Sequence, residues 1–357
     1  MNYIELNKFK NNEFRKIDNE DNSRKFYLLR SISKSKTLKE FCEEFDVEND
    51  LNKIFLDPKI GDKDIENFIR KNFKPIEKNK IDEIEIELNK MQNFDWGGSM
   101  GNNLEKNIVN NYVKKISKYD DIRNAIAGNI QKSVYGYTLN SWYNHWSTIM
   151  IENIFKNNEN VLPTIELIEK IDFFINGIPY DLKTTYFPEE LLKEKLKPDL
   201  LDKYGSSNEL TCAKKLAKEL NIGIPRDLND RALTICLENL LNESVNEKAK
   251  TFMNELQKLK KKIISYYMRN PNELIVWLYE NQGEMRFDAA NRFYLVLTDT
   301  NNPFESWKLK RNKNLLQDKI NEKINHFSDV PRNKITFYWD KDGKNYDCYS
   351  EILFINN

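Results

Sequence analysis

The chain has few cysteines. Cys42, Cys212, Cys236 and Cys348 are spread over 357 residues, with no CxxC pair and no Cys/His ligand spacing. That excludes a zinc finger and a disulfide scaffold, and it fits a reducing cytoplasm. Net charge is also missing, because 56 Lys and Arg balance 56 Asp and Glu. The bulk field therefore draws no polyanion, and a nucleic-acid partner must be met by local cationic clusters. No apolar run approaches a bilayer span, and residues 1–14 lack the apolar segment of a secretion signal. The expectation is a soluble, cytoplasmic protein with no membrane segment. Three glycines in Phe94–Asn103 precede a helix, but their spacing matches neither a P-loop nor a dinucleotide fingerprint. They read as a plain interdomain turn, with a DNA-phosphate contact through backbone N–H groups as the alternative.

The informative stretch is Ile171–Lys183, IDFFINGIPYDLK. Two apolar runs flank Asn176-Gly177, the pair best suited to the positive φ angles of a two-residue hairpin turn. Folding there sets Ile175 against Ile178, Phe173 against Tyr180 and Asp172 against Asp181. Side chains alternate between faces, so Ile171, Phe173, Ile175, Ile178, Tyr180 and Leu182 make one apolar face. Asp172, Asp181 and Lys183 share the other. Asp172 and Asp181 fall at a non-hydrogen-bonded position, where Cα atoms lie roughly 4.5 Å apart.

Directly opposed carboxylates destabilise a bare sheet. A hard divalent cation removes that cost, and Mg²⁺ is typically held by one or two carboxylates plus water and phosphate. With an amine on the same face, the set suits phosphodiester hydrolysis. The plainer reading is a solvated polar face on an antiparallel hairpin.

These residues resemble the PD-(D/E)XK nuclease superfamily, in which an acid ending one strand faces an acid-X-Lys triplet on the next. Asp172 stands at the first position and Asp181-Leu182-Lys183 forms the triplet. Ile171 stands where the family name has proline, which is often absent. Upstream, Ser141–Asn157 reads as an amphipathic helix carrying Trp142, Trp146, Ile149 and Met150 on one stripe. His145, Thr148 and Glu152 lie on an adjoining face. Family members commonly place a further Glu on this helix, and Glu152 is the candidate; the plain alternative is a solvated Glu. His145, beside tryptophans, reads as structural. The resemblance covers Ser141 to about Tyr186. It implies an α+β fold, a restriction-endonuclease-like mixed sheet flanked by helices. It also implies Mg²⁺ held by Asp172, Asp181, Glu152 and the Leu182 carbonyl, with Lys183 acting on the attacking water.

Around this core, residues 1–91 read as a helical N-terminal region, and residues 92–357 as the nuclease core with a helical insertion over about 189–270. Val161–Ile168 has room for a first strand, although Pro163 weakens it. Leu274–Tyr279 and Phe293–Leu297 read as buried strands. A helix is expected over Ser306–Phe327 and a closing hairpin from Lys334–Trp339 and Tyr346–Phe354. Lys260 and Lys261, in a basic stretch with Tyr266 and Tyr267, are candidate DNA contacts, against the plain reading of a solvated helix face. Lys310 and Arg311, placed where a helix dipole disfavours cations, and Thr185, on the face of Lys183, are further candidates.

No ATPase or methyltransferase motif accompanies the candidate site. The plan looks like a type II restriction endonuclease: a homodimer acting on double-stranded DNA, with a separate methyltransferase protecting the host. The alternatives are a nuclease without sequence specificity and a non-catalytic DNA-binding protein of the same fold.

Overall fold

The computed structural model describes residues 3–8, 21–92, 94, 104–168, 171–225, 228, 230–281, 291–327, 333–339 and 343–356. Most of the glycine-rich segment and Lys341-Asp342 lie outside the described residues. Among the described residues the first elements are the helices α1 (Tyr3–Lys8), α2 (Asp21–Arg30), α3 (Ser35–Phe45), α4 (Leu51–Leu56), α5 (Asp62–Asn72) and α6 (Lys78–Asn89). Short α7 (Leu104–Ile108) and α8 (Tyr119–Ala125) lead into the long α9 (Gln131–Lys156). The strands β1 (Val161–Ile168), β2 (Ile171–Ile175) and β3 (Ile178–Tyr186) follow. The described part of the crossover that follows holds α10 (Glu189–Tyr204), α11 (Glu209–Glu219), α12 (Asp230–Glu243), α13 (Glu247–Arg269) and α14 (Pro271–Asn281). The chain ends with β4 (Asn291–Thr298), α15 (Lys313–Asn325), β5 (Lys334–Trp339), β6 (Lys344–Tyr349) and β7 (Glu351–Asn356).

The main sheet runs β1-β2-β3-β4-β7, and β5-β6 form a separate ribbon. β1, β2 and β3 form an antiparallel meander, whereas β4 lies parallel to β3 and β7 parallel to β4. A parallel partner needs a long crossover, which α10–α14 provide. Pro163 is tolerated because β1 is an edge strand. The turn between β2 and β3 has Asn176 at φ 49° and Gly177 at φ 76°, as a two-residue hairpin requires. A Cβ at Gly177 would also come within 2.6 Å of the end of the Arg24 side chain, which would have to move aside.

Three apolar clusters explain where the core sits. One face of the sheet (Phe173, Ile175, Tyr180, Leu182, Phe293, Leu295) packs on α6, α9 and α15. Phe155 of α9 stacks on Phe173 with ring centroids 4.9 Å apart, so Phe173→Ala should cost about 3–5 kcal/mol. The other face is covered in two pieces. Leu162 and Phe174 pack under α1–α5, whereas Tyr294 and Val296 pack under α10–α14 and the β5-β6 ribbon. Residues paired across neighbouring strands share a face, so Asp181, opposite Arg292, and Lys183, opposite Tyr294, lie on this divided side. The sheet's charged positions thus fall at the seam between two helical units.

Four expectations are corrected. Leu274–Tyr279 is helical, within α14: Leu274, Ile275, Leu278 and Tyr279 are the buried set, a helical spacing. Pro271 opens that helix, where a missing N–H costs nothing; a short apolar run does not distinguish strand from helix. Ser306–Phe327 divides into a 3-10 segment, Pro303–Arg311, and α15, whose N-cap Asn312 accepts from Leu315 N–H. Tyr346–Phe354 is not one strand; it breaks at buried Ser350, and β7 joins the main sheet. The α9 helix begins at Gln131 rather than near Ser141, which lies inside it.

Candidate active site

The hairpin register agrees with the sequence as far as Phe173 opposite Tyr180. Beyond that pair, the Asp172 carboxylate takes the place of a ladder acceptor: the Leu182 N–H donates to its Oδ2 at 2.7 Å. The Asp172 carbonyl accepts from the Thr164 hydroxyl at 3.2 Å. Its side chain is thereby fixed against β3, beside the triplet.

Burial raises the Asp172 carboxyl to about 6. The Leu182 N–H opposes this, the nearby charges of Glu152 and Asp181 add to it, and Lys156 opposes it again. Glu152 thus lies within electrostatic reach of Asp172, brought there by the last turns of α9. The Lys156 ammonium donates to Glu152 Oε2 at 2.9 Å, one helical turn away.

Asp181 is nearly buried, and its two oxygens face two cations. Lys183 Nζ donates to Oδ1 at 2.7 Å, and Arg292 Nε stands 3.9 Å from Oδ2. Lys183 keeps 46% of its side-chain surface exposed, so it can leave Asp181 and meet a ligand from solvent. Arg292 cannot, being buried over the Tyr279 ring at 4.9 Å and bonded to Tyr294 Oη at 3.1 Å. Three carboxylates therefore meet three cations: Asp172, Asp181 and Glu152 against Lys156, Lys183 and Arg292.

The donor chemistry fits Mg²⁺ in one respect and limits it in another. Hard oxygens from two strands converge, and their mutual repulsion is what a dication relieves. Among the described residues, however, no group of three or more Asp, Glu, His or Cys is arranged to hold an ion by itself. A cation here would rest on one or two carboxylates, with water and phosphate completing its shell, as Mg²⁺ commonly does. Asp172 and Asp181 would hold it, with the Leu182 carbonyl as a further oxygen, while Glu152, paired with Lys156, does not complete a three-acid group.

The proposed DNA contacts are scattered. Thr185 lies two residues past Lys183 and lines a cavity of about 240 Å³. Lys261 is exposed on α13. Lys260 is not on that surface: it is buried between Glu209 and Glu238 at 2.7 and 2.8 Å, so its charge is already matched. Lys310 is buried too, donating to Asn144 Oδ1 at 2.9 Å over the Tyr186 ring at 5.2 Å. Arg311 donates to the carbonyls of Leu88 and Met91 and covers the Trp307 ring at 4.9 Å, tying α6 to the core. Lys310 and Arg311 end a 3-10 segment rather than begin a helix, which removes the dipole argument made for them. His145 is exposed beside Trp146.

Sequence reasoning did not single out Lys156 or Arg292. Lys156 carries a signal, the i+4 spacing from Glu152. Arg292 carries none, because its place opposite Asp181 depends on a parallel pairing across more than a hundred residues.

No protein-family model, no curated protein and no solved structure matches this chain. The site's chemistry stands on its own geometry. Among the described residues, no helix is long and apolar enough to cross a membrane.

Proposed function

We propose that the chain is a Mg²⁺-dependent endonuclease of the type II restriction kind, with a PD-(D/E)XK site at Asp172, Asp181, Lys183 and Glu152. The observation that carries the reading is the seam: Asp172 fixed on the Leu182 N–H, beside an Asp181 whose partner Lys183 remains half exposed. The order of elements supports a restriction-endonuclease-like core. A helix, an antiparallel three-strand meander, a helical crossover and a strand parallel to the third follow in turn.

A bound divalent cation would polarise the scissile phosphate and make its water more acidic. The chain's own part is positional. Asp172 and Asp181 orient their oxygens from adjacent strands, and Leu182 keeps Asp172 aimed. Lys183, freed from Asp181, orients the attacking water and stabilises charge growing on the phosphate. Water adds to phosphorus as the P–O3′ bond breaks, leaving a 5′-phosphate and a 3′-hydroxyl. Double-stranded DNA is the substrate, a homodimer the acting form on a symmetric site, and a separate methyltransferase the protection for the host.

The test is digestion of a long unmethylated DNA of known sequence with Mg²⁺, beside an EDTA control and Asp181→Ala. Discrete bands that vanish with EDTA and in the variant are the expected result. A smear that vanishes likewise retains the site and replaces site-specific cleavage with general cleavage. DNA left intact under every methylation state tried would defeat the proposal.

A further inference from the structure

The site keeps its acids in lysine-capped pairs. Lys183 holds Asp181 Oδ1 at 2.7 Å from the strand, and Lys156 holds Glu152 Oε2 at 2.9 Å from the helix. Asp172 feels both members of the helical pair as well as Asp181. The helical pair is not an ordinary solvated one, since Lys156 and Glu152 retain only 17% and 24% of their side-chain exposure. A cation entering the site needs carboxylate oxygens that these two ammonium groups occupy. Once displaced, a half-buried ammonium is costly without a counter-charge, and the incoming phosphate is the anion at hand.

Resting on the nuclease reading above, we propose that Lys156 is a second active-site lysine. It sits on Glu152 in the resting site and turns to the scissile phosphate when a cation takes the carboxylates. The helix thus delivers an acid and a base from one face, at i and i+4, as the strand does at i and i+2.

Calorimetric titration of the full chain with Mn²⁺, in the absence of DNA, tests this directly. Lys156→Met and Lys156→Gln should bind Mn²⁺ about three- to tenfold more tightly than wild type, because a competing cation has gone. The same variants should cleave DNA roughly tenfold or more slowly, with Lys156→Arg retaining most of the rate. Melting curves check that each variant folds, and the Gln variant carries the comparison if the Met variant does not. Unchanged or weaker Mn²⁺ binding, or cleavage at the wild-type rate, overturns the proposal. If wild type binds Mn²⁺ no better than Asp181→Ala and cuts nothing, the nuclease reading falls and this inference with it. Cation binding and cleavage that depend on Asp181 but ignore Lys156 would sink the inference alone.

Discussion

The Glu209–Lys260–Glu238 group and the Asp172–Asp181–Lys183 group each set a lysine among acids, and they behave in opposite ways. At Glu209, Lys260 and Glu238 the ammonium lies at 2.7 and 2.8 Å from its two partners, and all three side chains are almost wholly buried. Burial, together with hydrogen bonding to Glu209, pushes Glu238 well above the carboxylate range. Burial works the same way on Glu209, yet Glu238 and Lys260 hold it low. The group is closed, with each charge answered inside α11, α12 and α13. At Asp172, Asp181 and Lys183 the lysine is half exposed and Asp172 lies among further acids. The same residue types make a structural knot where helices enclose them and an open site where two helical units part. Enclosure, rather than composition, separates the two.

The sharpest break in the comparison is to remove each lysine. Lys260→Met leaves two buried carboxyl groups without their cation and should destabilise the fold by about 3–5 kcal/mol, read from denaturant melts. Lys183→Met should change stability by only about 1 kcal/mol or less, since Lys183 is half exposed and Arg292 still faces the buried Asp181. That same variant should abolish Mg²⁺-dependent cleavage. Equal stability losses in the two variants would erase the distinction.

Lys310 sharpens the comparison from another side, as a buried cation that pairs with no acid among the described residues. Burial pushes it down to about 8, below the ordinary lysine range. The unfolded chain therefore binds more protons between pH 8 and pH 10.5, and stability should rise through that window. Lys310→Met should stabilise the protein at pH 7 by about 1–3 kcal/mol and flatten the rise. A variant that melts lower at pH 7 would show that Asn144 and the Tyr186 ring more than offset the burial. The smallest effect belongs to exposed Lys261, where substitution by Ala should leave stability within about 0.5 kcal/mol. Its contribution, if it meets DNA, appears as a shallower salt dependence of binding.

What could be read in advance follows from the range of the interactions concerned. The hairpin was legible because Asn176-Gly177 sets its turn locally and alternation sets its faces. Phe293–Leu297 was legible as a buried strand, since branched and aromatic apolar residues fill it without a break. Leu274–Tyr279 looked the same over six residues, and only the spacing of its packing partners made it helical. Lys260 and Lys310 read as surface charge because sequence shows a cation but not the acid or ring that folds over it. Arg292 was invisible for a related reason: its partner Asp181 comes from a parallel pairing built by the whole α10–α14 crossover. The seam itself, where Asp172 and Asp181 lie, was not foreseeable from the hairpin.

If the seam is a cation site, its acids are held together at a cost that a neutral isostere removes. Thermal melts of wild type and Asp172→Asn at neutral pH, with and without Mg²⁺, put that directly to the test. Asparagine keeps an oxygen for the Leu182 N–H while removing the charge. The account predicts that the variant melts a few degrees higher than wild type without Mg²⁺, and that Mg²⁺ raises the wild type but not the variant. A variant that melts no higher, with Mg²⁺ shifting both proteins alike, would contradict it.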